Sequence, residues 1–367
     1  MTELKVDTVV DLAGTGKPNF TTGITINTAA LSTVNTGEYN ASGTEPSSPK
    51  NGSIWWDTTN EKIFVYVDGE FKETIGVSSA VWYGSRGLMM GGSYPVQNII
   101  DYITIQSTGN ATDFGDLDVA REDPTPFSDG TQGFACCGYD GSNNTQSVSY
   151  VTVGTTGNAQ DFGDMTVVRN YGAGGACDGT RGLVAGNTQT GNVIDYITTA
   201  TPSNGVDFGD LTVAGRSSAG GNDATRACFG GRDTSSGKIN VIDYVTIQTT
   251  GNAQDFGDLT YARRGAASVS DTTRICFCTG QGASYSNVID YITTQTLGNA
   301  TDFGDASLAG GFQNGGMSDA SRGCYTISNG GSYSNTIEYI TIQTTGNATD
   351  FGDRTHNKYN VGSCAGT

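Results

Sequence analysis

GNATDFGD occupies residues 109–116, and the chain keeps returning to it: GNAQDFGD at 157–164 and 251–258, GNATDFGD at 298–305 and 346–353, and a blunter NGVDFGD at 204–210. The phenylalanines of these copies are Phe114, Phe162, Phe208, Phe256, Phe303 and Phe351, spaced 46 to 48 residues apart. A period this regular, within ~20–50 residues, marks a solenoid, a propeller or an array. The rest of the unit repeats in register. NIIDYITI (98–105), NVIDYIT (192–198), NVIDYVTI (240–247), NVIDYIT (287–293) and NTIEYITI (335–342) precede the acidic loop, and SVSYVTV (147–153) fills the slot in the second unit. Earlier still lies a short apolar run, such as RGLMMGG (86–92) or RICFCTG (274–280).

These runs are short, β-branched or aromatic, and bounded by Gly, Ser, Asn and Asp, which is the signature of strands. NVIDYIT is apolar on both faces, with Val193 and Ile197 on one and Ile194 and Tyr196 on the other, so it is covered on both sides. The Gly-Asn of each loop suits a turn with positive φ. No helical period of useful length occurs. Each unit therefore reads as about four strands without a helix. Four-stranded sheets repeated radially make a β-propeller of ~4–8 blades, and a β-solenoid is the open alternative. The expected fold is all-β: a six-bladed propeller over 78–367, preceded by an extended segment and linker (1–50) and a small β-meander (51–77). Six units need six innermost strands, and the chain offers seven, counting both SAVWYG and YNVGSCAG. YNVGSCAG (359–366) is expected to complete the first blade, with SAVWYG (79–84) as its rival.

Composition narrows function. The 367 residues include 54 glycines, only 15% are charged, and the formal net charge is −18. Nucleic-acid binding needs Lys and Arg against phosphate, so it is not expected. Docking on bare anionic membrane is disfavoured, no apolar run is long enough to span a bilayer, and MTELKVDTVV does not read as a signal peptide. The eight cysteines mostly fall at equivalent repeat positions, as Cys228, Cys276 and Cys324 do, and suit a core as small hydrophobes. Cys136-Cys137 and Cys276-x-Cys278 could suggest zinc, but no Cys-x-x-Cys pair exists and His356 is the sole histidine.

The acidic loop admits sharper readings. Paired carboxylates act as acid and base on glycosides, but catalysis needs two carboxylates in different environments, and six copies supply identical ones. Calcium is the other candidate, with Asp113, Asp116, Asn110 and Thr112 as oxygen donors. The plain reading is structural: Asp and Asn cap turns through side-chain-to-backbone bonds, Phe114 packs between blades, and Gly115 takes a strained turn. No cofactor is expected. Function should lie where the units differ, in the loops after the apolar strand. These carry Tyr94, Arg232, Lys238, Tyr285, Asn287, Tyr333 and Asn335, a palette of flat rings, amides and cations suited to sugars.

The order of signals resembles the kelch repeat. That family shows a strand ending in a diglycine (here Gly91-Gly92 and Gly230-Gly231) and then an acid-Tyr step (Asp101-Tyr102, Asp195-Tyr196, Asp243-Tyr244, Asp290-Tyr291, Glu338-Tyr339). An aromatic and an Arg before the next blade follow (Arg121, Arg169, Arg216, Arg263). Phe stands where the family has Trp, Ser149 replaces one acid, and Gly310 lies where the fifth Arg is expected.

Residues 1–77 do not repeat. IWWDTTNEKIFVYVDGEFKETIG (54–76) reads as three strands carrying Trp55, Trp56, Phe64, Tyr66 and Phe71. So small a meander is marginal alone. Its aromatics form either a local core or a subunit interface, where such rings anchor. LKVDTVVDLAGTGKPNFTTGI followed by EPSSPKNGSIWWDTTNEKIFVYVDGEFKE resembles the amino-terminal region of tail-fibre and other virion proteins of tailed bacteriophages, particularly those of cyanobacteria. The resemblance implies a virion component, mounted on neck or tail proteins by its amino end as a homotrimer. It further implies a distal domain that faces a host glycan or receptor. A purely architectural role, and less so a polysaccharide-degrading enzyme, are the alternatives.

Overall fold

The computed structural model describes residues 39–49, 53–57, 62–67, 70–73, 84–169, 171–311, 315–328 and 332–366. The chain divides into two compact units, residues 1–79 and 80–367. Every helix-or-strand element among the described residues is a β-strand.

In the second unit six antiparallel sheets of four strands follow one another round a ring, giving a six-bladed β-propeller. Blade 4 shows the pattern from the axis outward: Ala219–Asn222, Arg226–Thr234, Gly237–Thr246 and Gln254–Asp258. Blade 1 takes its innermost strand from the far end of the sequence. Gly362–Gly366 pairs with Arg86–Met90, which is followed by Ile99–Thr104 and Thr112–Asp116. YNVGSCAG thus closes the ring, while SAVWYG, apart from Gly84, lies outside the described residues.

The two-faced strands do what their pattern demands. Leu88, Ile100 and Phe114 of blade 1 meet Ala135 and Val151 of blade 2, and equivalent clusters fill the other seams. Each aliphatic or aromatic side chain so buried is worth ~1.5–3 kcal/mol. The acidic corner ties the outer strands together. Asn158 Oδ1 accepts the amide N–H of Asp116 at 3.1 Å, and the Gly157 N–H donates to Phe114 O at 2.9 Å. Asn204, Asn252, Asn299 and Asn347 do the same for Asp164, Asp210, Asp258 and Asp305, and Asn110 closes the circle on Asp353. Gly115 sits at φ 148°, where a Cβ would lie 2.4 Å from Gly157 O, so only glycine lets the next blade approach this closely. The corner is repeated six times because six seams need the same joint.

A second joint lies deeper in the seams. Asp195 accepts hydrogen bonds from Thr166 and pairs with Arg169 at 2.8 Å, and Asp290 accepts from Thr260 and pairs with Arg263 at 2.9 Å, all four charged groups being buried. Where the acid is missing at Ser149, Asp118 supplies a carboxylate to both Ser149 and Arg121. Where the arginine is missing at Gly310, Glu338 takes the neutral Tyr325 hydroxyl at 2.9 Å. In blade 4 the cation is Arg232, paired with Asp243, and not the expected Arg216. Arg216 lies three residues before its innermost strand where Arg263 lies four, so it faces out of the seam.

The described strands of the first unit are Tyr39–Ser42, Ile54–Asp57, Lys62–Val67 and Glu70–Glu73, in that order in one sheet. The stretch read as linker therefore contains a strand, and it pairs in parallel with Ile54–Asp57. Trp55 stacks on Phe64 at 4.8 Å and meets Phe71 at 5.5 Å, with Tyr66 against Phe71 at 5.1 Å. Trp55 is buried, and its indole N–H donates to Ser42 O at 3.0 Å. The Trp56 side chain lies outside the described residues.

Candidate functional site: the channel mouth

The innermost strands surround a channel lined by small residues, Gly175, Gly220, Ser268 and Gly316 among them, which leaves a cavity of about 110 Å³. At one end the described connectors that enter innermost strands converge. Asp123, Gly172, Ser217, Gly265 and Asn360 occupy equivalent positions and are all left-handed, with φ of 55, 54, 60, 65 and 62°. Their amides bond round the neck: Asp123 N–H to Asn360 O, Ser217 N–H to Gly172 O, and Gly265 N–H to Ser217 O.

One residue earlier in these connectors, Glu122, Tyr171, Arg216, Arg264 and Tyr359 stand at the rim. A second cavity of about 230 Å³ opens here, with Tyr94, Glu122, Tyr171, Arg264, Tyr359 and Asn360 in its walls. Tyr333 and Tyr359 stack at 4.9 Å and 4°, and Tyr94 lies 5.6 Å from each. Tyr94 is 67% exposed and Tyr333 46%, so their rings are presented to solvent. The Tyr359 hydroxyl is pushed up by burial and by the neighbouring Tyr333 and Tyr94.

The charges of the rim are unevenly shared. Asp233 takes Arg216 at 3.2 Å, Arg264 at 3.1 Å and the Gln189 amide at 3.1 Å. The Arg216 guanidinium also lies 3.9 Å above the Tyr171 ring. Glu122 is half-buried. Burial raises its carboxyl, and hydrogen bonds from Ser93 and Asn360 partly offset the shift. Asp123 is 2% exposed, and neither of its carboxyl oxygens has a hydrogen-bond partner.

Of the residues expected from sequence to meet a ligand, Tyr94 and Tyr333 come together here. Arg232 does not: it is fully buried in the seam against Asp243. Asn287 is half-buried, and its amide is spent on Ala306 O at 3.4 Å, as those of Asn192 and Asn240 are on Leu211 O and Leu259 O. Asn335 occupies the same slot in blade 6, half-buried. Lys238 faces Asp233 across the blade 4 hairpin, and Tyr285 faces Gln281 across that of blade 5. Sequence reading missed Glu122, Asp123, Tyr171, Arg264 and Tyr359. They lie in connectors that carry no motif, and the left-handed conformation that gathers them leaves no mark where the residue is Asp, Ser or Asn.

The alternative chemistries offered by the sequence fall elsewhere. Among the described residues no three of His, Cys, Asp and Glu gather closely enough to hold a metal ion. Asn110 Oδ1, one of the oxygens that calcium would have used in the alternative reading, accepts the Asp353 N–H. All eight cysteines are buried free thiols, and burial pushes those of Cys136 and Cys278 up. His356 is exposed beside Thr355, 2.7 Å from its hydroxyl.

No family model matches the chain, and no curated protein matches it.

Proposed function

We propose that this chain is a virion appendage protein of a tailed bacteriophage: its amino-terminal region mounts it on the particle, and its propeller presents the channel mouth to a host-surface glycan without catalysis. The observation that carries the binding half is the exposed Tyr94–Tyr333–Tyr359 cluster beside Arg264, Glu122 and Asn360 at a concave mouth. Binding sites are concave, and their few polar groups fix orientation. Tyrosine offers a flat apolar face with a polar tip at low entropic cost. The mounting half rests on the resemblance of PKNGSIWWDTTNEKIFVYVDG to virion proteins. On this reading the half-buried Phe64, Tyr66 and Phe71, backed by the buried Trp55, form the face where copies of the chain pack as a trimer, beside neck or tail proteins.

The test is attachment of the labelled full chain to cyanobacterial cells before and after their surface polysaccharide is stripped. Saturable attachment that stripping removes is expected. Attachment that survives stripping points to a protein receptor, and absence of attachment to any strain leaves the propeller an architectural role.

A further inference from the structure

We infer that the channel mouth selects an acidic sugar: one pyranose unit bearing a carboxylate or sulfate, laid against Tyr94 and Tyr359 with its anionic edge turned to Arg264. The inference rests on the glycan-binding reading above and names its ligand class.

The walls of the mouth differ in chemistry. Tyr94 follows the second strand of blade 1, Tyr359 precedes the innermost strand of that blade, and Arg264 precedes the innermost strand of blade 5. All three line the one cavity of about 230 Å³. Arg264 is fixed before any ligand arrives. Its backbone N–H and carbonyl both pair with Gln281. Its Nε donates to the Gln281 side-chain oxygen at 3.0 Å, and its Nη1 donates to Asp233 at 3.1 Å. Nη2 has no partner among the described residues, and the side chain is 21% exposed, so one end of the guanidinium stays open to solvent.

The uncompensated charge at the mouth is positive. Arg216 and Arg264 share the single carboxylate of Asp233, so two cations meet one anion. Glu122 is the one acid among the residues lining the cavity. Burial raises its carboxyl, and it already accepts from Ser93 and Asn360. Asp123, enclosed behind it, is held well above the usual carboxylate range by burial and by Glu122. An anion that a chain of net charge −18 would otherwise repel meets a complementary field here.

Three ligand chemistries can be compared at this mouth. An amino sugar would bring a cation to a guanidinium. A neutral sugar would cover Nη2 while giving it only a neutral acceptor. A carboxylate or sulfate oxygen makes the charge-assisted bond, about twice as strong as a neutral one. The shape agrees. A pyranose gathers C–H groups on its ring faces and carries its exocyclic groups at the edge. A ring resting on the flat faces of Tyr94 and Tyr359 therefore turns an edge substituent toward the opposite wall. The cavity is smaller than the ~300–1,000 Å³ of pockets for drug-sized ligands, which suits one sugar unit.

The test uses the full-length chain and saturation-transfer NMR titrations. The probes are methyl glucuronide, methyl galacturonide and the 6-sulfate of methyl galactoside, with methyl glucoside, methyl galactoside and the methyl esters of the two uronides as neutral counterparts. At least one acidic probe should bind, with its neutral counterparts about tenfold weaker or silent. Whether uronide or sulfate binds more tightly tells which anionic group the site prefers. Arg264→Gln should weaken the acidic probe about tenfold or more, and Arg264→Lys should restore part of the loss, since it keeps the charge without the planar fork. Asp233 keeps Arg216, so both variants should fold. Should Arg264→Gln fail to fold, the comparison of acid with ester on wild type still decides. If cells are bound but no acidic probe is, if a neutral counterpart binds within about twofold of its acid, or if folded R264Q binds within about twofold of wild type, the acidic subsite is overturned while the surface-binding reading stands. If an acidic probe binds in an Arg264-dependent way but cells are not bound, the subsite stands and the surface reading falls.

Discussion

Arg232 and Asp243 form an ion pair at 2.8 Å with neither side chain exposed to solvent. The pair holds the third strand of blade 4, and Thr212 of the preceding blade donates to the same carboxylate. Breaking a buried pair leaves an uncompensated charge and costs ~3–5 kcal/mol. Arg232→Met should therefore lower the melting temperature by roughly 6–15 °C, at ~2–3 °C per kcal/mol. Arg216→Met removes a partly solvated partner of Asp233, which keeps Arg264, and should cost about 1 kcal/mol. Equal losses for the two variants in a thermal melt would contradict the assignment of Arg232 to the seam.

The closing strand makes a second test. Gly362–Gly366 faces Arg86–Met90 over five residue pairs. Removing residues 357–367 orphans several buried backbone groups at ~1–3 kcal/mol each, against a total stability of ~5–15 kcal/mol. The truncated chain should be aggregated or unfolded by size-exclusion chromatography and circular dichroism. Removing residues 1–50 should leave propeller melting nearly unchanged. A truncated ring that melts within a few degrees of the intact one would show that another segment closes blade 1.

Asp123 should leave a signature in pH. Burial, and then the neighbouring Glu122, hold its carboxyl well above the usual carboxylate range, against the pull of Arg264 and Arg216. The folded protein therefore keeps a proton that the unfolded chain releases above about pH 3.9. A state that holds more protons loses stability as pH rises, so this contribution declines from about pH 4 up to the folded pKa. D123N lacks it. The melting advantage of D123N over wild type should therefore grow with rising pH. A difference that stays constant between about pH 4.5 and 8 would show that the carboxyl is not perturbed by its surroundings.

The ring was legible because its repeats are spelled in residues with one job each. Asn110, Phe114 and Gly115 recur because every seam needs an amide acceptor, a buried ring and a close approach. The closing strand was legible because Cys364 matches the inner-strand Cys177. The binding end was half legible. Tyr94 and Tyr333 stand out as aromatics in variable loops, but Tyr359 is hidden beside a strand, and Tyr171 and Arg264 look like ordinary connector residues. Arg232 was misplaced because charge in a loop reads as exposed. Spacing points the other way: Arg216 is one residue out of step, so the seam finds its cation elsewhere. Asn287 misled for a related reason, since an amide that recurs at Asn192 and Asn240 serves the fold.

The central claim is that the channel mouth, and not the flanking hairpins, recognises sugar. It is tested most directly by probing an array of bacterial surface oligosaccharides with the full chain and with the double variant Tyr94→Ala, Tyr359→Ala. Both rings lie at the rim, and Tyr94 is largely exposed, so the variant should fold as wild type does. Loss of a stacked aromatic contact and its apolar cover costs ~1–3 kcal/mol per ring, so array binding should fall by about tenfold or more. Wild-type signal that persists in the double variant, with melting unchanged, would place recognition elsewhere on the chain and contradict the account.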